Sequence, residues 1–498
     1  MQMKYALCAL ALAVLATAPP PALNRCTEGF DRDPGWEGRN NRLARVLPPA
    51  TVRQDFGYSP STRHAGRERG EIGGAIQPAA EPAYYATPIP IKTLRDRLSA
   101  SGNLLVGRGG GNTLFGFFNE RTLNEWRTPN AIVFRINGRG EIYHAHGEFT
   151  TRAWRATAAV IGRYDPDADR NHARELPSGV AQRWSLEYDP MANNGSGSIA
   201  FTLAGEKAVI NLTPAVRSDG ATFNCFGLLN VVKSYDGAGE LWLDDLTING
   251  EAQDFSHDPA WKGLRNRLTY ATTGVRPRFD FGFSLTHYAG GAAAGEVGGV
   301  IYRGDCRYPE RLACYGDRLD TLTLDQPLRA SGKVAMRRGV SDSATAIGFY
   351  HSSCSMAVSE SQQFFAPRDF LGVYIEGPSR EGFYFYPVYR DHQDGASSGY
   401  PDNPPRIMPD GAAHHWTLVY DPAAAQGRGR ITVTLDGQTT SRDLAPGVKT
   451  SGASFDRFGI ISTWIDGNGQ EVYFDDLEYT CGPAPSRGTV KAEGRGPD

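Results

Sequence analysis

One internal repeat constrains this chain more than any other feature. The segment FDRDPGWEGRNNRL at Phe30–Leu43 returns as FSHDPAWKGLRNRL at Phe255–Leu268, an offset of 225 residues (255 − 30). At that offset Asp55-Phe56-Gly57 matches Asp280-Phe281-Gly282, and Gly70-Glu71-Ile72-Gly73-Gly74 matches Gly295-Glu296-Val297-Gly298-Gly299. Further along, Trp184–Pro190 matches Trp416–Pro422, and Asp244-Asp245-Leu246 matches Asp475-Asp476-Leu477. The period far exceeds the roughly 20–50 residues of solenoid units, so each copy is expected to be a whole domain. The expected division is 26–250 and 255–481, with a Gly/Pro-rich tail at 482–498 expected to be disordered.

The pattern within each copy is that of strands. Trp184, Leu186 and Tyr188 alternate with polar neighbours, as do Ile199, Phe201 and Leu203; Ile431–Leu435 runs into the turn pair Asp436-Gly437. No amphipathic helix of three turns is apparent. The expected fold class is all-β, with each copy a two-sheet sandwich or jelly roll.

Residues 1–18 read as a secretory signal: one lysine, an apolar run from Ala6 to Leu15, then Ala16-Thr17-Ala18 before prolines. The run is too short to span a bilayer, and no later stretch approaches about 18 apolar residues, so no integral membrane segment is expected. The 52 basic and 55 acidic residues nearly balance, which gives no reason to expect a nucleic-acid partner. Beyond the signal, six cysteines in an exported chain favour disulfides over metal ligation. Cys306 and Cys314 are expected to pair across a short loop, with Cys26–Cys225 and Cys354–Cys481 as working pairings within each half.

Several motifs resemble a known family. His414-His415-Trp416 through Asp421, followed by Gly429–Gly437, resembles the central hairpin of laminin-G-like domains; Val472–Tyr479 resembles their closing strand. Weaker copies lie at Trp184–Asp189 and Leu241–Ile248. The resemblance implies two tandem jelly rolls of the concanavalin A-like lectin/glucanase superfamily. It implies a concave sheet that commonly binds glycans, hence a polysaccharide or oligosaccharide partner. It transfers no catalytic residue, because the Glu-x-Asp-x-x-Glu strand of the glucanases is absent, and fold alone does not choose a function.

The chemistry most visible in the sequence lies in Asn124–Phe149, which reads as a hairpin of Ala131–Ile136, a turn at Asn137, Gly138 and Gly140, and a return strand. Side chains alternate between faces, so His144, His146 and Glu148 share one face of the return arm, and Arg135 with Asn137 shares one face of the other. Histidine with glutamate suits acid–base work near neutral pH. Three functions remain open. In a glycoside hydrolase, Glu148 would pair with a second carboxylate, Glu125 or Glu120. In a polysaccharide lyase, His144 or His146 would be the base and Arg135 or Arg127 would neutralise a uronate. In a lectin, two domains would supply avidity. The hydrolase is the reading preferred here, with His144, His146, Glu148 and Glu125 as catalytic candidates and Asn119, Arg127, Asn130, Arg135 and Asn137 as substrate contacts.

In the second copy the aligned return strand is Phe383–Arg390, placing Phe385, Pro387 and Tyr389 where the first has His144, His146 and Glu148. The polar trio is thus expected in the first copy alone, which makes that copy the expected working domain. Glu71 and Glu296, present in both copies, are expected to hold loop backbone. Asp245 and Asp476 are candidates for a structural Ca2+ site, and His144-x-His146-x-Glu148 is a weaker candidate for Zn2+ with His64 or His172. No cofactor is required by any motif.

Overall fold

Alternating apolar residues fix which faces of the strands meet. In the computed structural model, which describes residues 23–483 apart from 44–47, 110, 124–127, 140–141, 154, 166–169, 234, 236, 275 and 378–381, the chain forms two sandwiches of antiparallel sheets. Trp184, Leu186, Tyr188, Ile199, Phe201 and Leu203, from one sheet of the first sandwich, pack against Phe115, Phe134, Tyr143 and Phe149 from the other. The second sandwich repeats this with Trp416, Leu418, Tyr420, Ile431 and Val433 against Phe349, Val373, Ile375 and Phe385. The all-β fold expected from the sequence is the fold observed. The signal segment and the tail from 484 lie outside the described residues. Among the described residues, no helix is long and apolar enough to cross a membrane.

The strand pairing distributes the leading motifs across the two sandwiches. Strands Leu23–Glu28 and Glu37–Arg39, at the head of the first repeat, pair with Gly469–Pro483 and Cys314–Thr323 of the second. Strands Lys262–Leu264 and Arg267–Thr272, at the head of the second repeat, pair with Tyr84–Thr93 and Ala50–Ser59 of the first. Phe30 and Trp36 accordingly lie in the second core, Phe255 and Trp261 in the first. The exchange has matching chemistry on both sides. The Asn41 side chain donates to the Phe281 carbonyl at 2.6 Å, and Asn266 to the Phe56 carbonyl at 2.7 Å. Gly70 and Gly295, both at positive φ, sit where a Cβ would come within 1.9 and 1.8 Å of the Phe255 and Phe30 carbonyl oxygens. The docking motif therefore explains why these two residues are glycine.

Cys26 is bonded to Cys481, which ties the exchanged first strand to the last one. This corrects the expected pairings: Cys225, Cys306, Cys314 and Cys354 are free thiols. Cys26–Cys225 and Cys354–Cys481 failed because they assumed that Cys26 folds with its own repeat, whereas its strand belongs to the other sandwich; Cys306 instead turns its thiol to the Ser359 and Ser361 carbonyls.

Glu71 and Glu296 do hold loop backbone. Glu71 accepts from the His64 and Ala65 amides at 2.7 and 2.8 Å, Glu296 from those of Tyr288 and Ala289 at 2.9 and 2.7 Å, and both residues are fully buried. Glu296→Ala would orphan the buried Ala289 amide and the partly buried Tyr288 amide, and is expected to lower stability by roughly 1–3 kcal/mol, read from the denaturant midpoint.

The neighbouring aspartates are engaged in a similar way. Asp475 accepts from the Asp476 and Gly291 amides, while Asp476 accepts from the Ala292 amide and pairs with Lys333 at 2.9 Å. In the first copy, Asp245 accepts from the Asn103 side chain at 2.7 Å. Burial pushes the Asp475 carboxyl up to about 6, and that of Asp244 likewise to about 6. A carboxyl raised in the folded state stabilises the fold at low pH and loses that contribution as pH rises through about 6. Asp475→Asn should therefore gain on the natural chain by up to about 3 kcal/mol between pH 4 and pH 7, measured as the difference in unfolding free energy.

Candidate functional site

The hairpin strands Ala131–Arg139 and Ile142–Thr150 pair with Arg135 opposite His146 and Asn137 opposite His144. Tyr143, Ala145 and Phe149 enter the core, so His144, His146 and Glu148 occupy the outer face of their sheet, as the alternation predicts. Gly147 is the remaining inward position, where a Cβ would meet the Phe201 ring at 2.2 Å. On the outer face the Arg135 Nε donates to Glu148 Oε1 at 2.5 Å and its Nη1 to Asn112 at 3.3 Å. The ion pair is nearly dry, with side-chain exposures of 10% and 6%, while His144 and His146 are half-buried beside it. Glu148 is thus engaged with Arg135.

Other candidates are placed differently. Asn119 caps a short turn, accepting from the Arg121 amide and donating to Thr222. Asn130 accepts from the Thr222 amide and donates to Thr122. Both serve the scaffold. Glu120 accepts from Tyr84 and Lys262, and these bonds, Lys262 first, hold its carboxyl below the usual range. Glu125 and Arg127 lie outside the described residues.

The register of the second copy corrects the comparison of the two return strands. Phe118 opposes Ala131, which opposes Thr150; Tyr350 opposes Phe370, which opposes Arg390. Matching these ladders sets His144, His146 and Glu148 against Tyr384, Tyr386 and Val388, and Arg135 and Asn137 against Tyr374 and Glu376. Phe385 and Tyr389, the residues aligned from sequence, point into the core. The sequence alignment was one residue out, which on a strand reverses the face.

Seen in this register, the second outer face carries its own polar group. Strand Phe370–Gly377 buries Leu371, Val373 and Ile375 inward and presents Tyr374 and Glu376 outward. The neighbouring strand places Ala344 opposite Glu376 and Ala346 opposite Tyr374, so the floor beside them is low. Tyr386 donates a short hydrogen bond to the Glu376 carboxylate, and Tyr400 packs tilted against Tyr384 and edge-on to Tyr386, at 4.6 and 5.2 Å between ring centres. At the rim, Arg303 binds Asp342 at 2.5 Å, and the Asp342 side chain remains 41% exposed.

The two outer faces are electrostatically joined. Burial raises the Asp342 carboxyl, but Arg303, Arg276, Lys233 and Arg135, in that order, pull it below its ordinary value. Lys233 and Arg135 belong to the first sandwich. An isolated bridge between Arg155 and Gly339 holds the two sandwiches together close by. Glu376 goes the other way: burial pushes its carboxyl up, only partly countered by Arg303 and Tyr386, while the nearby Asp342 adds to the rise. Glu376 is thus biased toward the protonated form and its neighbour Asp342 toward the carboxylate, beside tyrosines and four cations. The sequence signal for this pair was slight: one glutamate ending an otherwise apolar strand, and one aspartate in a loop.

No protein-family model and no curated protein matches the sequence. Solved structures that resemble the chain include domains LG4-5 of the mouse laminin alpha1 chain, at 11% identity and TM-score 0.22, covering 89% of this chain and 100% of that one. The Emp47p carbohydrate recognition domain matches at 11% identity and TM-score 0.25, over 41% of this chain and 88% of its own. The GH43 protein BlXynB of Bacillus licheniformis matches at 12% identity and TM-score 0.24, over 74% and 70%. At such scores these neighbours carry no functional argument, and the fold assignment rests on the strand pairing.

Proposed function

We propose that the chain is an exported carbohydrate-active enzyme that hydrolyses an acidic polysaccharide or oligosaccharide in the cleft between its sandwiches. Glu376 is the proton donor and Asp342 its carboxylate partner. The observation that carries this reading is a neighbouring pair of carboxyl groups with opposite electrostatic bias, the division of labour that glycoside hydrolysis requires. Tyr384 and Tyr400 offer ring faces to sugars, while Arg303, Arg276 and Arg135, each held in an ion pair with Asp342, Asp466 and Glu148 respectively, give with Lys233 a basic setting that suits a substrate bearing carboxylate or sulfate groups. His144 and His146, beside the Arg135–Glu148 pair, form the first-sandwich wall as glycan contacts. Export follows from the signal-like segment and fits the Cys26–Cys481 disulfide.

The density of cations around Asp342 also favours a second reading, a lyase acting on uronate residues. A panel of neutral, uronate-containing and sulfated polysaccharides separates the two. New reducing ends without ultraviolet-absorbing unsaturated products support the hydrolase; unsaturated products support the lyase. Saturable binding without any product would replace both with a lectin.

A further inference from the structure

A second cluster lies at the far end of the strand that carries Glu376. Cys354, Asp369 and His392 bring a thiol sulfur, a carboxylate oxygen and an imidazole nitrogen within 4.8 Å of one another. Asp369 and Glu376 are separated by seven residues of extended chain, roughly 23 Å at ~3.3 Å per residue, so this is a different place from the cleft.

The comparison of copies makes the cluster informative. The ladder that matches Ala131 with Phe370 also matches Asn130 with Asp369, and both have left-handed backbones, at φ 54° and 51°. Asn130 uses its oxygen and its nitrogen on the scaffold. Asp369 does not: Oδ2 meets His392 Nδ1 at 2.9 Å, while Oδ1 is buried without a hydrogen-bond partner, in a residue with no solvent exposure. With only the weak Cys354 thiol as a neighbouring donor, this buried carboxylate oxygen is poorly satisfied and suits a cationic ligand. The thiol is held near it, because Ser355 donates to the Arg368 and Asp369 carbonyls at 2.5 and 3.1 Å and so ties the Cys354 turn to Asp369. The nearest cations are already engaged, Arg368 and Arg390 both pairing with Asp394. The His392 side chain is 51% exposed, which leaves one side of the cluster open to solvent.

We propose that Cys354, Asp369 and His392 bind a divalent transition metal of the Zn2+ class, with solvent in the fourth position. Thiolate, imidazole and carboxylate together suit Zn2+ far better than Ca2+ or Mg2+, and three protein donors with one open position is a recognised zinc arrangement. Binding replaces the His392–Asp369 hydrogen bond with two metal bonds. The Cys354 proton is released to solvent, so affinity falls as pH is lowered. The metal would pin the 351–369 loop over the outer face of the sheet.

The test uses the full chain, reduced and stripped of metal, titrated with Co2+ and then with Zn2+. The expected result is one equivalent of Co2+, a thiolate-to-cobalt charge-transfer band, and displacement by Zn2+. Cys354→Ser should abolish the band and His392→Ala should weaken binding at least tenfold, while Cys306→Ser leaves both intact. His392 is exposed, so its variant reports even where the cysteine variant folds poorly. Absence of stoichiometric binding, a band that persists in Cys354→Ser, or a peptide map with Cys354 in a disulfide would each overturn the proposal.

Discussion

Glu376→Gln is expected to lower glycan turnover by roughly 10²–10⁴-fold while leaving binding of the same glycan nearly unchanged, the size of effect that follows from losing a general acid. Glutamine keeps the shape of the side chain and accepts from Tyr386, so the fold should be preserved, which circular dichroism and the denaturant midpoint can verify. Asp342→Asn should cost activity on a similar scale, and should also release Arg303 from its 2.5 Å ion pair. The pH profiles of the two variants distinguish their roles. Loss of the acid removes the alkaline limb of the natural profile, because Glu376 must be protonated, and loss of the carboxylate removes the acidic limb. Turnover equal to the natural chain in both variants would remove the cleft from consideration and return attention to His144 and His146.

The second large effect concerns stability. Cys26 and Cys481 are 455 residues apart. The chain-entropy relation gives about 6 kcal/mol for a loop of that length, and measured losses on removing native disulfides are typically about 2–5 kcal/mol. Cys26→Ser is therefore expected to lower the unfolding free energy by at least about 2 kcal/mol. The loss should fall mainly on the second sandwich, whose last strand loses its anchored partner. Hydrogen exchange should show early opening of Leu23–Glu28 and the end of Gly469–Pro483, with the strands around Trp184 still protected. Uniform opening of both sandwiches would show that the bond serves the whole chain and not one half of it.

The repeat revealed the two sandwiches because a core needs the same apolar positions in each copy; Trp184 and Trp416 sit in equivalent places for that reason. The destination of the leading motifs was not legible. Phe30–Leu43 and Phe255–Leu268 offer nearly the same Phe, Trp and Asn-Arg groups, and the two receiving surfaces are alike, so composition cannot say which motif docks where. The outward direction of His144, His146 and Glu148 followed from alternation, but the turn expected at Asn137-Gly138 did not hold: both residues continue the strand, paired with His144 and Tyr143. The error came in carrying that direction to the second copy, where one residue of slip hid Tyr384 and Tyr386 from the comparison. Asp342 and Glu376 could not be paired from sequence, since 34 residues (376 − 342), including the long connection 351–369, separate them. The downward pull on Asp342 comes first from Arg303 and Arg276, with smaller contributions from Lys233 and Arg135 of the other repeat.

The reciprocal docking of the leading motifs sets an order of assembly. The first sandwich cannot close until Arg267–Thr272 has been made, beyond the end of its own repeat. The second must wait for Gly469–Pro483, the last strand, before it can engage Leu23–Glu28 at the head of the first repeat. Contacts this distant in sequence slow folding and leave sheet edges uncovered in the meantime. A chain divided between the repeats would therefore yield two halves each carrying the other's closing piece, and mixing the halves should restore what neither has alone.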